Sequence, residues 1–599
     1  MKSRQVELTE FSEIITNYTR DFVGREWLVN EVNQLLADSE CRFILLTGNT
    51  GVGKTAFLAH LASQNPQWLR YFIRRDSLNL MSPGDAATFL LTVGGQFATV
   101  YPELFLPKNV QINVDQEIGN VTANGKLTGI HIDEVYASPF YKVALDVKQK
   151  IDELKGEAFA IKIGRLIREP RLLPLQTLQF LALLDPARLL KIKEPETSLI
   201  ILVDGLDELR YSPARPDILH ALCELTDIPS NLRFIITSRP EQFLDQLLKR
   251  KDTKLFSLDT LELMEKKQAD LQRYIHTLSK EELAKKLAER GKKNFPDQLL
   301  QKACGNFLYF KSVLRSIQEA LENQQKEEML EKLLNIDQLP DSLHELYNYF
   351  LDKIVGWAKQ YFKCEAWVNY LTPLLGILSV TQEPLTEEQL FLFTQLTRQS
   401  IHDLLRELKQ FIETVDERNP AYRIYHTSFV DNLRNKSSKY WIDPQDWHRR
   451  IVDHYWQNYS GHWNNCDLYG LCHLPNHILE SEAIGESRKK LYGLLRQDDF
   501  IHAQIAKTQN YTRTYESFES ALWAYTTGES PEDDYCLCDL ALRAGKLSSK
   551  AQTDITMAFG WAREGKMQEA IERISVINDE KEFFKAVLFK REAGKRQSW

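Results

Sequence analysis

Arg42-Phe-Ile-Leu-Leu-Thr47-Gly48-Asn49-Thr50-Gly51-Val52-Gly53-Lys54-Thr55-Ala56 is the stretch whose reading decides the fold. Phe43 to Thr47 is a short apolar run with no room for a helix, and predicts a buried strand of a parallel sheet. The loop after it matches G-x-x-x-x-G-K-[ST] at every fixed position. Gly48, Gly51 and Gly53 permit the backbone angles that turn successive N–H groups toward one point, a cradle for phosphate oxygens. Lys54 is placed to reach terminal phosphates and the Thr55 hydroxyl to ligate Mg²⁺. Ala56-Phe-Leu-Ala-His-Leu-Ala62 then predicts a helix whose positive end faces the anion. The pattern implies a nucleotide site built from residues 48–56.

Working outward, a second acidic stretch is expected to complete that site. Ser198-Leu-Ile-Ile-Leu-Val-Asp204-Gly205-Leu206-Asp207-Glu208 reads as a central strand delivering a carboxylate to the sheet edge where ligands bind in open α/β folds. Asp204 is the candidate second Mg²⁺ residue, and Asp207 and Glu208 are the candidates to orient or deprotonate an attacking water. Asn231-Leu-Arg-Phe-Ile-Ile-Thr237-Ser238-Arg239-Pro240 predicts a further strand, with Thr237 or Arg239 able to sense a γ-phosphate. Upstream, Phe22-Val23-Gly24-Arg25-Glu26 precedes an amphipathic helix and can fold over the adenine side of the site.

The remaining readings bound the molecule. At 599 residues the chain holds several domains; 43% hydrophobic and 26% charged residues are those of an ordinary globular protein. A net charge of −8 argues against broad nucleic-acid binding. Eight cysteines without framework spacing, and no apolar signal core at the N-terminus, suggest a reducing cytoplasmic compartment. The apolar stretch 172–190 is interrupted by Gln176, Gln179, Asp185 and Arg188 and is not expected to span a bilayer. Residues 1–20 read as a polar tail. A small β insertion at about 108–135 is expected to contain a hairpin around Asn124-Gly125. His462, Cys466, Cys472, His473 and His477 suit paired helices better than a metal site.

Together, the P-loop, Asp204-Gly205-Leu206-Asp207-Glu208, Thr237-Ser238-Arg239-Pro240 and Phe22-Val23-Gly24-Arg25-Glu26 resemble the STAND class of signalling NTPases, in its NACHT branch. Leu300-Gln-Lys-Ala-Cys-Gly305-Asn306-Phe307-Leu308-Tyr309 resembles the helix start of that family's small helical domain, without the proline common in the plant and apoptotic relatives. Leu339-Pro340-Asp-Ser-Leu-His-Glu-Leu-Tyr347 resembles its linker into a winged helix. His426-Thr-Ser428-Phe429-Val-Asp-Asn-Leu433 resembles the motif whose histidine touches the β-phosphate of ADP in the closed state.

The resemblance implies an AAA+/STAND-like α/β NTPase domain over residues 21–255, a small helical domain over 256–338, a winged helix over 339–438 and a TPR-like helical repeat region over 439–599. Turns at Gly545-Lys546, Gly565-Lys566 and Gly594-Lys595 mark the repeats. It further implies an ATP/ADP-controlled, Mg²⁺-dependent slow ATPase switch. Such a switch would sense a protein partner through its C-terminal helices and self-assemble in the ATP state, without membrane or nucleic acid. An effector domain often precedes such modules, and twenty residues leave no space for one here. The rival readings are a DNA-associated ATPase of the replication-initiator or transcription-regulator kind, and a nucleotide-binding scaffold that does not hydrolyse.

Overall fold

The computed structural model describes residues 8–526 apart from 9, 74–83, 106–111, 122–125, 137–144, 156, 168–173, 212–215, 279–281, 323–326, 416–418 and 509–510, together with 532–544 and 547. Four buried runs and one partly exposed edge strand form one parallel sheet: β1 (Phe43–Thr47), β2 (Leu69–Phe72), β7 (Leu199–Asp204), β8 (Leu232–Ser238) and, at the edge, β9 (Thr253–Ser257). Their order is β2-β7-β8-β1-β9. Because helices cover both faces, alternate residues of each inner strand enter different cores. Phe43, Leu45, Ile201, Val203, Phe234 and Ile236 pack with the helix Ala86–Val100. Ile44, Leu46, Ile200, Leu202 and Ile235 pack with the helices Glu26–Ala37 and Lys54–Gln64.

Two expectations need correcting here. The described residues of the stretch expected to be a polar tail pack on the sheet domain: the helix Ser12–Thr19 buries Ile15 against the P-loop-helix face, and Phe11 lies edge-on to Tyr71 at 5.6 Å. Arg70, buried in β2, donates to the Leu8 carbonyl. The apolar anchors Leu8, Phe11, Ile15 and Tyr18 stand at helical spacing, but over a stretch too short to show which surface they would pack on. The expected boundary at 255 also falls inside β9, which runs to Ser257 beside β1.

The insertion between β2 and β7 is larger than expected and is not a hairpin. It contains β3 (Ile112–Val121), β4 (Lys126–Tyr136), β5 (Leu145–Leu154) and β6 (Glu157–Ile167). β3 pairs in parallel with β5, and β4 in parallel with β6. Consecutive strands therefore enter different two-stranded sheets. The register sets like against like, Val114 opposite Val147 and Ile130 opposite Ile161, a match that an antiparallel β3–β4 pair would forgo. Asn124-Gly125 lies outside the described residues.

Beyond the sheet the described chain is largely helical, and one hydrophobic core runs from Leu271 to Leu547. Within it β10 (Leu385–Thr386), β12 (Ala421–Ile424) and β11 (Ile412–Thr414) form a small antiparallel sheet in that order. The helix after β10 starts with a capping box, Thr386 and Gln389 each bonding the other's backbone N–H. The C-terminal helices Pro444–Tyr459, Leu468–Ser481 and Ile484–Leu495 pack in sequence. The Gly-Lys turns at 545–546, 565–566 and 594–595 lie outside the described residues. Among the described residues no helix is long and apolar enough to cross a membrane.

Candidate functional site

Three C-terminal strand ends and two helix starts converge on the P-loop. Gly51 and Gly53 take φ of 86° and 89°, which lets the loop curl before Lys54 and Thr55 open the helix Lys54–Gln64. Lys54 Nζ donates to the carbonyls of Gly48 (2.6 Å) and Asn49 (3.1 Å). Burial lowers its pKa, while Asp207, Asp204 and Asp259 pull it back up and Arg239 opposes them. The Asn49 N–H donates to the Asp259 carboxylate at 2.9 Å. A carboxylate oxygen on this N–H shows that the loop offers a backbone donor to an anion, which fits a nucleotide phosphate.

The Gly24-Arg25 turn is locked over the loop. Arg25 has a left-handed φ of 69°, an uncommon conformation for a side-chain-bearing residue. Its N–H donates to Asp270 Oδ1 at 3.1 Å, its guanidinium pairs with Asp270 at 3.4 Å, and it donates to the Val52 carbonyl of the P-loop. The Trp27 indole N–H donates to the same carboxylate at 2.8 Å. Both charged side chains are about 3% exposed. Burial lowers the Arg25 pKa and Asp270 counters it. Val23 packs on the helical core beyond the sheet, so the Val23-Gly24-Arg25 turn touches that core as well as flanking the loop. Asp270 lies in the helix Met264–Leu278, which follows the sheet; a lone aspartate in a polar helix carried no signal in the sequence.

The helix Phe307–Glu322 reaches the loop from the same side. Asn306 Nδ2 donates to the Thr50 carbonyl at 3.0 Å and the Phe307 N–H to the Gly51 carbonyl at 2.9 Å. A Cβ on Gly51 would lie 2.2 Å from Asn306 Oδ1, so the close approach requires glycine there. The motif at 300–309 singled out from sequence thus does touch the P-loop, through Asn306.

On the acidic side the structure brings Asp204, Asp207, Glu208, Thr237 and Arg239 together. β8 lies between β1 and β7, so Asp204 is one strand removed from the P-loop strand. Thr237 spans that gap: its hydroxyl donates to Asp204 Oδ1 at 2.6 Å and accepts from the Gly205 N–H at 3.1 Å. Asp207 receives the Arg239 backbone N–H at 3.1 Å and its guanidinium Nε at 2.8 Å. Glu208 accepts from the Thr427 hydroxyl at 3.0 Å.

Arg239 is the junction. Beyond Asp207 it pairs with Asp431, and its Nη2 donates to Thr427 at 3.2 Å. Burial alone would lower its pKa, but Asp431, Asp207 and Glu208 more than offset that and raise it. Arg210 adds a second bond to Asp431 at 3.0 Å. Thr427 and Asp431 belong to the helix Thr427–Arg434, more than 180 residues downstream. His426, expected as a phosphate contact, is that helix's N-cap: its Nδ1 accepts the Ser428 N–H at 3.1 Å. Sequence reading chose the motif and missed the residues that reach the acidic cluster, Thr427 and Asp431.

The histidine- and cysteine-bearing C-terminal helices hold a separate polar network. His448 Nδ1 and His477 Nδ1 are 2.8 Å apart, Tyr469 OH bonds His477 Nε2 at 2.9 Å, and His473 meets Glu383 at 2.8 Å. Among the described residues no group of three or more potential ligands could hold a metal ion.

Residues 21–236 match the family model described as AAA ATPase domain. No curated protein matches the chain. The match spans β1, β2, β7 and nearly all of β8, and with the parallel sheet and its P-loop it makes this region a P-loop NTPase domain, similar to AAA ATPases, followed by a helical C-terminal region.

Proposed function

We propose that this protein is an ATP-driven switch of the STAND/NACHT kind, described here in its closed form. The observation that carries the reading is the Arg239 junction: the residue positioned to sense the γ-phosphate is held by Asp431, and the acid Glu208 by Thr427, both from the C-terminal half. ADP and this contact would stabilise the same closed arrangement, and ATP would compete for Arg239 and release the helix Thr427–Arg434. The small antiparallel sheet with its helices would be the winged helix of such a module, and the C-terminal helices its partner-sensing surface.

In the open form the loop N–H groups and Lys54 would bind the β- and γ-phosphates, with Thr55 and Asp204 placed to hold Mg²⁺, which neutralises phosphate charge. Asp207 is bonded directly by Arg239, whereas Glu208 is bonded by the Thr427 hydroxyl and meets Arg239 through its charge alone. Glu208 is therefore the carboxylate we assign to orienting and deprotonating the attacking water, with Asp207 holding Arg239 in place. Hydrolysis would be slow while the contact holds. The test is particle mass with ADP and then with ATP and Mg²⁺. ATP-dependent assembly that Lys54→Ala abolishes is expected; an unchanged mass in both nucleotides would overturn the switch reading.

A further inference from the structure

The insertion winds as two successive coils, β3–β4 and then β5–β6, with the second laid in parallel register on the first. The register is chemically ordered as well as geometric. Apolar positions coincide: Ile112 with Leu145, Ile118 with Ile151, Ile132 with Ile163. Charged positions oppose: Asp115 with Lys148, Glu117 with Lys150, Lys126 with Glu157, Glu134 with Arg165. The Glu117–Lys150 pair is 3.5 Å apart on an exposed face.

Each sheet has only two strands, so among the described residues the outer ladder edges of both coils carry no partner strand. No proline interrupts any of the four strands, so each keeps its full row of backbone N–H donors, and the charged residues that would repel an unmatched strand leave one of opposite charge pattern as the fitting partner.

A parallel ladder repeats by translation. The free edge of the second coil therefore offers an incoming strand the backbone row and side-chain spacing that β5 and β6 offer β3 and β4 from within. The segment best matched to that edge is the first coil of another copy of this chain, since all four opposed charged positions and the apolar matches of the register would recur across the junction. We propose that the insertion is a head-to-tail self-association element, in which the β5–β6 edge of one molecule pairs with the β3–β4 edge of the next. It rests on the insertion alone and needs no nucleotide.

The test uses the full chain and two compensated charge swaps: Asp115→Lys with Glu117→Lys, Lys148→Glu and Lys150→Glu; and, on the other sheet, Glu134→Arg with Arg165→Glu. Each swap preserves complementarity within a molecule and between identical molecules, but sets like charges together where swapped meets wild type. Sedimentation of each protein alone should show concentration-dependent growth beyond the 69.7 kDa monomer. Cross-association between differently labelled wild-type and swapped chains should be about tenfold weaker than self-association. The growth should persist in Lys54→Ala, which separates it from nucleotide-driven assembly. A monomer at every concentration, equal mixing of swapped and wild-type chains, or loss of association in Lys54→Ala would each overturn the proposal.

Discussion

Replacing Asp431 by asparagine should unlatch the acidic side of the site while leaving the side-chain shape in place. Asp431 meets two guanidinium groups, Arg239 and Arg210, and the Arg239–Asp431 side chains are 14% and 16% exposed. Removing one partner of a fully buried pair costs about 3–5 kcal/mol. Partial exposure screens this pair, and Asp207 continues to hold Arg239 at 2.8 Å, so a loss of about 2 kcal/mol is the reasonable expectation. That is roughly a thirtyfold shift away from the closed form. The assay is release of a fluorescent ADP analogue by stopped flow, with circular dichroism to establish that the helices survive. Release should accelerate by about that factor, and Asp431→Glu should recover most of the wild-type rate. A well-folded Asp431→Asn protein releasing nucleotide within twofold of wild type would show that the Arg239 junction does not govern the site.

Further outcomes follow from the same geometry. Glu208→Gln should lower single-turnover hydrolysis by about 10²–10⁴-fold with little loss of ATP affinity, whereas Asp207→Asn should chiefly disturb Arg239 and γ-phosphate discrimination. The reverse pattern would exchange the two roles. Gly51→Ala forces a side chain onto Asn306 at a φ of 86° and should cost about 1–3 kcal/mol of interdomain packing, read as a lowered melting midpoint; an unchanged midpoint would refute that contact.

His477 should set an acid limit on the C-terminal helices. Burial, with His473 adding to it, pushes its pKa down to about 3, below the ordinary 6.5. Between those values the unfolded chain binds a proton that the folded chain refuses, so stability is lost as pH falls below about 6.5, by roughly 1.4 kcal/mol per unit. His477→Gln should flatten that loss in melting curves taken at successive pH values; an equally steep profile in the variant would assign the loss elsewhere.

The nucleotide site was largely legible because its chemistry is local. A run of apolar residues, three glycines and Lys54-Thr55 can fold only a few ways; Asp204 ends β7, Asp207 and Glu208 lie in the short helical segment that follows it, and Arg239 comes directly after β8, so all four meet the same sheet edge. What was not legible depends on contacts between distant segments. Asp270 locks Arg25 from 245 residues away, and Asp431 holds Arg239 across 192; neither position differs from an ordinary surface aspartate on its helix. The insertion failed for another reason. Alternating apolar residues around Asn124-Gly125 suit both a hairpin and an arch between two sheets, and only pairing with a second, similar coil separates them. The N-terminal segment carries apolar residues at helical spacing, Leu8, Phe11, Ile15 and Tyr18, but the stretch is too short for that pattern to say which surface it packs on.

The most direct measurement of the central claim is the identity and amount of nucleotide that copurifies with the protein. The closed, latched form predicts near-stoichiometric ADP in the wild type, loss of that ADP in Lys54→Ala, and its rapid exchange for ATP in Asp431→Asn. A wild-type protein that purifies empty and turns over ATP steadily, indifferent to Asp431, would contradict the account.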